Sequence, residues 1–171
     1  MSTYNPIMVA LLTLLQTNCG ATFKTYSRRL ITWEALTQVQ NQGGGMIRQP
    51  ALYIFDGMIV GESGTQEYVR KERKVPSKRI MDIALVIYAQ LPGSGMATGI
   101  DATTPGADIF YPLLESVESA LEPSQSDPFG AQTLNGAVAH CWIEGKRYMV
   151  PGDIDPGGQG MAILPVKILI P

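Results

Sequence analysis

The sequence predicts an α+β fold: a mixed, mainly antiparallel sheet of about four to six strands, two helices packed on one face, and projecting hairpin or loop segments. Three observations carry this. The chain reads helix, strands, helix, strands, rather than alternating strand and helix throughout. Both helical segments have apolar stripes that must be covered, and one sheet face covers both. Residues 79–90 hold a nearly continuous apolar block, the pattern of a central strand covered on both sides. At 171 residues the chain fits one domain, residues 1–171. Hydrophobic residues make up 45% and charged residues only 16%, below the usual quarter, so much of the surface is expected to meet another chain.

The first helix follows from Asn5 as a cap, Pro6 at the first helical position, the run "IMVALLTLLQTN", and Gly20 as a stop. Ile7, Met8, Leu11, Leu12, Leu14 and Leu15 cover more than half its circumference, which implies burial on more than one face. Phe23, Tyr26, Leu30, Ile31 and Trp33 then mark short extended pieces broken by Ser27, Arg28 and Arg29. The glycines of "NQGGGMIRQ", residues 41–49, make a loop, and "PALYIF" opens a strand with Pro50 at its start, where proline is tolerated. Residues 65–76 alternate enough to form an exposed strand, and "RIMDIALVIYAQLP" is the best strand in the chain. After a long Gly/Thr/Pro loop, residues 92–107, comes the clearest periodicity. Ile109, Phe110, Leu113, Leu114, Val117, Ala120 and Leu121 share one side of a helix, with Glu115, Ser116, Glu118, Ser119 and Glu122 on the other, and Pro123 ends it. Residues 131–150 and 161–171 read as strand regions joined by the turn-rich "PGDIDPGGQG".

Several chemistries fail on spacing. Cys19, Cys141 and the single His140 form no CxxC or clustered ligand set, so no metal is expected. His140 and Cys141 are neighbours in a strand and point to opposite faces, which rules out a local dyad and leaves a core cysteine. "GESGT" at 61–65 lacks the second glycine of a nucleophile elbow. "GSGMATG" at 93–99 is one residue too long for a dinucleotide fingerprint and opens no helix, and "PGGQGM" lacks the lysine of a P-loop. Asp153 and Asp155 lie in a Gly/Pro-rich loop, where turn roles prevail over catalysis. The expectation is a non-enzyme without cofactor. No apolar run approaches the ~18 residues needed to span a bilayer, and no signal core follows a basic start, so no membrane partner is expected and the chain reads as cytosolic in origin.

One stretch stands apart. "YVRKERKVPSKRI", residues 68–80, holds six of the thirteen lysines and arginines in a chain of net charge −2. In an extended segment Arg70, Glu72 and Lys74 share one face and Lys71 and Arg73 the other, so it cannot lie flat in a core. Three readings stay open: an edge protected by charge, a subunit or partner contact, and phosphate binding. A DNA-binding module would add stacking aromatics or a net basic domain.

The series "LLTLL" (11–15), "YSRRLITW" (26–33), "QPALYIF" (49–55), "ALVIYA" (84–89), "LLESVESALEP" (113–123), "QTLNGAV" (132–138), "IEGK" (143–146) and "AILPVKILIP" (162–171) resembles the tail terminator proteins of tailed bacteriophages and prophages. Neck and tail-completion proteins look similar. The resemblance implies a structural α+β subunit of the virion, assembled in the host cytoplasm into a homo-oligomeric, typically hexameric, ring at the head-proximal end of the tail. Its implied partners are the tail tube protein, the head–tail connector or neck protein, and the sheath where the tail contracts. DNA would pass through the lumen without sequence-specific binding. The pattern supplies no fixed ligand residues. Arg70, Lys71, Arg73, Lys74, Lys78 and Arg79, with the loops at 41–49 and 92–107, are the candidate contacts. The alternatives are a head–tail connector or other minor tail protein and, from a different class, a DNA-binding protein using residues 70–79.

Overall fold

The computed structural model describes residues 4–29, 48–56, 79–90, 107–123, 129–150 and 159–170. Helix α1 spans Tyr4–Cys19. It starts earlier than its cap signal suggests, so Asn5 lies in the first turn, and its Oδ1 accepts a hydrogen bond from Arg28 Nη1 at 2.6 Å. Pro6 is tolerated there because first-turn amides have no intrahelical acceptor. Ile7, Met8, Leu11, Leu14, Leu15 and Cys19 are buried while Val9 is 48% exposed. At 100° per residue the buried set occupies one arc of about 140°, so the helix buries a single broad stripe rather than several faces. Gly20, at φ +51, ends it in the left-handed conformation common at helix C-termini, and a 3₁₀ turn, Gly20–Thr22, follows.

Strand β1 (Thr25–Ser27) pairs in parallel with β2 (Ala51–Asp56). Strand β2 lies antiparallel to β3 (Arg79–Gln90), and β3 antiparallel to β6 (Gln159–Ile170). Beyond β6 come β4 (His140–Ile143) and β5 (Tyr148–Val150), both antiparallel to it. The path is β1-β2-β3-β6, with β4 and β5 in succession along the outer side of β6. The predicted class holds: an α+β fold with a mixed, mostly antiparallel sheet. Gln159 and Gly160, expected in the turn-rich connection, instead open β6, and Met161 lies in it as expected.

Helix α2 spans Ala107–Leu121 and behaves as its periodicity requires. Phe110, Leu113, Leu114, Val117, Ala120 and Leu121 are buried, and Glu115, Ser119 and Glu122 are exposed. Pro112 stands on the exposed side, where the helix continues through it despite the missing donor. Both helices pack on the same face of the sheet, against Leu52, Ile54, Ile83, Leu85, Ile87, Leu164, Val166 and Ile168. The register explains this set. Leu52, Ile87 and Ala162 stand in one cross-strand row and Ile54, Leu85 and Leu164 in the next, all on one side because alternate strand residues share a face. The other face carries Ala51, Tyr53, Ala84, Val86 and Ile163 as a second buried cluster. Strand β3 is thus covered on both sides, as its unbroken apolar run predicts.

The outer strand position is split for a reason visible in the sequence. Pro165 sits inside β6, where a central strand normally excludes proline. Its carbonyl accepts Glu144 N at 3.2 Å, and a ladder residue points its N and O to the same side. The missing donor therefore falls where the neighbouring strand breaks, between Ile143 and Tyr148. Gly145 occupies the break at φ +125, and a Cβ there would stand 2.9 Å from Pro165 Cγ. Gly145→Ala is expected to destabilise the fold by about 1–3 kcal/mol through backbone strain and this clash. Urea unfolding measures it, and a neutral result would mean the break is not rigid.

Residues 129–139 form a wound turn, although the sequence predicts 131–139 to be part of a strand region. Leu134, Asn135 and Gly136 have φ of 48, 56 and 86 in succession. Asn135 N bonds Gly130 O at 2.7 Å, and Val138 N bonds Thr133 O at 3.1 Å. The Asn-Gly pair tolerates this backbone and leucine does not, but Leu134 is only 2% exposed, and its burial offsets the strain.

Candidate assembly surfaces

The predicted contact residues Arg70, Lys71, Arg73, Lys74 and Lys78 lie outside the described residues, as do the exposed strand at 65–76, most of the loops at 41–49 and 92–107, the motifs at 61–65 and 93–99, and Asp153 and Asp155. Arg79 is the first residue of β3, opposite Ile170. The strands nonetheless fix where each segment joins the sheet. Asp56 pairs with Ile83, so residues 57–78 leave and re-enter at the end of the sheet that also holds Ile170 and the start of β4. Ala51 pairs with Tyr88, and Gln90 with Gln159, so the glycine-rich segments before β2 and after β3 join at the opposite end. Adjacent antiparallel strands need only a short turn of about two to five residues. Between β2 and β3 the chain instead inserts its most basic segment.

The sheet face away from the helices divides along the same axis. Near the glycine-rich segments it is apolar and buried, with Tyr53 packed edge-on to Tyr88 at 5.8 Å between ring centres. Near the basic segment it is polar. His140 stacks on Trp142 at 5.2 Å, Trp142 Nε1 donates to Glu144 Oε2 at 2.5 Å, and Lys167 Nζ lies 3.1 Å from Glu144 Oε1. The Trp142 hydrogen bond, and after it Lys167, hold the Glu144 carboxyl below the usual range.

His140 and Cys141 point to opposite faces, as strand geometry requires: Cys141 is in the core beneath α2 while His140 lies on the far side. Burial pushes the Cys141 thiol up to about 12. Burial also raises Cys19, against the opposing effect of the Ser116 side chain. Neither is a nucleophile near neutrality, because the thiolate is the reactive form. A raised acid pKa means the neutral form is favoured on folding. The Cys141 contribution is therefore full below its unfolded value, near 9.0, and lost as pH rises through about 12. A thiol reagent is expected to label both cysteines at least ~100-fold more slowly in the native protein than in denaturant. Fast labelling would show that the core opens.

A groove of about 700 Å³ lies on the helix layer, lined by Thr13 and Thr17 of α1, Ser116, Ser119 and Glu122 at the end of α2, and Asn135 of the wound turn, among others. Asn18 Nδ2 donates to Ala120 O at 3.2 Å, tying the helices together there. Glu118, on the next face of α2, is paired with Arg147 at 2.8 Å. Sequence reasoning placed these polar residues on solvent-facing sides of separate elements and missed the groove, because only tertiary packing brings 13–18, 116–122 and 131–135 together. Among the described residues no group of His, Cys, Asp and Glu comes together to hold a metal ion, and no helix is long and apolar enough to cross a membrane. No family model matches this chain, and no curated protein is significantly similar to it.

Proposed function

We propose that this chain is a non-enzymatic ring subunit of a tailed-phage particle, closing the head-proximal end of the tail tube and presenting its other side to the head connector. The observation that carries the reading is the placement of the candidate contacts: the basic segment joins the sheet at one end and the glycine-rich segments at the other. A capping ring needs distinct surfaces on one subunit for its neighbours and for its axial partners, and such segregation supplies them. The series of short segments resembling tail terminators, spread over nearly the whole chain, supports the same conclusion. The mechanism is steric. The ring adds to the growing tube end through one surface and offers no new tube-binding surface on the other.

Light scattering across a concentration series, with and without tail tube protein, tests this, together with tube lengths measured by electron microscopy. The expected result is a closed ring of about six copies, formed alone or on meeting the tube, and tubes that stop growing when it is added. A persistent monomer that ignores the tube and binds DNA with affinity falling steeply in salt overturns the reading in favour of nucleic-acid binding.

A further inference from the structure

The charge distribution and the groove together say how neighbouring copies meet. Outside residues 68–80 the chain has seven lysines and arginines against fourteen aspartates and glutamates. Nearly half of the positive charge is thus concentrated in one short segment, and the rest of the molecule is acidic. Electrostatic attraction between two copies is strongest where the basic segment of one meets the acidic body of the other. A closed ring favours the same arrangement, since each subunit must carry two different, mutually complementary patches.

The groove has the chemistry to be the receiving patch. Its lining offers side-chain hydroxyls and amides from Thr13, Thr17, Ser116, Ser119 and Asn135, and the Glu122 carboxylate, with no lysine or arginine among the described residues that line it. It sits at the C-terminal end of α2, where unpaired carbonyls give a partial negative charge, and neither helix carries a basic residue in its last turn to neutralise it. One of those carbonyls, Ala120 O, is met by the Asn18 amide. Glu115, exposed on the same helix, adds to the field, whereas Glu118 is paired in charge with Arg147. A lysine or arginine side chain brings three to five donors and a positive charge, which match the hydroxyl and carbonyl acceptors and Glu122.

We propose that this groove receives the basic segment, residues 70–79, of a second copy of this chain, making the contact between neighbours around the ring. The proposal rests on the ring reading above, and the experiment separates the two. Two double variants are made: Ser119→Arg with Glu122→Arg in the groove, and Arg73→Glu with Lys74→Glu in the segment. Thr17→Lys serves as a third groove variant. All three groove positions are solvent-exposed, so the fold tolerates them.

Assembly is followed by light scattering. Each double variant alone is expected to need about tenfold or more higher concentration to assemble than the wild type, because like charges now face each other at the contact. Mixing the two in equal amounts is expected to restore assembly. In alternating order each reversed groove meets a reversed segment, and each native groove meets a native segment. Raising salt from about 0.05 to about 0.5 M weakens wild-type assembly, since the contact is electrostatic and partly screened.

Either variant assembling like the wild type overturns the inference and leaves the ring reading standing. So does a mixture no better than its components. A variant that lowers thermal stability without changing mass also overturns it, placing the segment against its own copy. A wild-type chain that forms no ring alone or with tube protein removes both conclusions together.

Discussion

Phe110→Ala is expected to lower the free energy of unfolding by about 3–5 kcal/mol, the range for removing a fully buried aromatic ring. Phe110 is 0% exposed and belongs to the main core, one turn into α2. Its loss removes transfer energy and leaves a cavity, because the surrounding leucines relax only partly. The next residue gives the control. Tyr111 is 52% exposed, so Tyr111→Ala is expected to change stability by no more than about 0.5 kcal/mol. Urea unfolding with unchanged m-values measures both, at a protein concentration where all variants have the same mass, because assembly adds apparent stability. Equal effects at the two positions would show that α2 does not present its apolar stripe to the sheet. Since a typical domain is stable by only about 5–15 kcal/mol, the variant also bears on assembly: a ring built from partly unfolded subunits fails for reasons unrelated to its contacts, so assembly variants belong on exposed positions such as Ser119 and Glu122.

Those two positions show how far the sequence reaches. The wheel of α2 was legible residue by residue, because one helix period decides which side each side chain takes, and the unbroken apolar run of β3 announced cover on both faces. Strand β6 was harder: Pro165 argues against a central strand, and only the paired break at Gly145 makes it compatible. Three successive left-handed residues at Leu134–Gly136 were hidden because Leu134 violates local preference and is held there by burial. Asn5 gave a cap signal that the helix overran. The groove was invisible for a different reason. Threonine, serine and asparagine facing outward on one helix look like ordinary solvated surface, and the feature exists only because α1, α2 and the wound turn converge at Asn18 and Ala120. The basic segment was conspicuous in composition, whereas its place at one end of the sheet needed the β2–β3 register.

Leu85→Ala is expected to cost about 2–5 kcal/mol, and its neighbour Val86→Ala a smaller but measurable amount, of order 1 kcal/mol or more. Leu85 is 0% exposed, between Ile54 and Leu164 on the face beneath the helices, whereas Val86 is 3% exposed, between Tyr53 and Ile163 on the far face. The two side chains point into separate clusters among the described residues, so the double variant is expected to be additive to within about 0.5 kcal/mol. The comparison reaches beyond stability. An isolated sheet with helices on one side leaves its other face to water, and a valine there contributes little. A cost at Val86 that persists in the monomer means this face is closed within one subunit, which leaves any contact between copies to other surfaces. A cost that disappears in the monomer and returns on assembly would move an intersubunit contact onto the far face around Tyr53 and Ile163, and the ring would be held by apolar burial rather than by the basic segment.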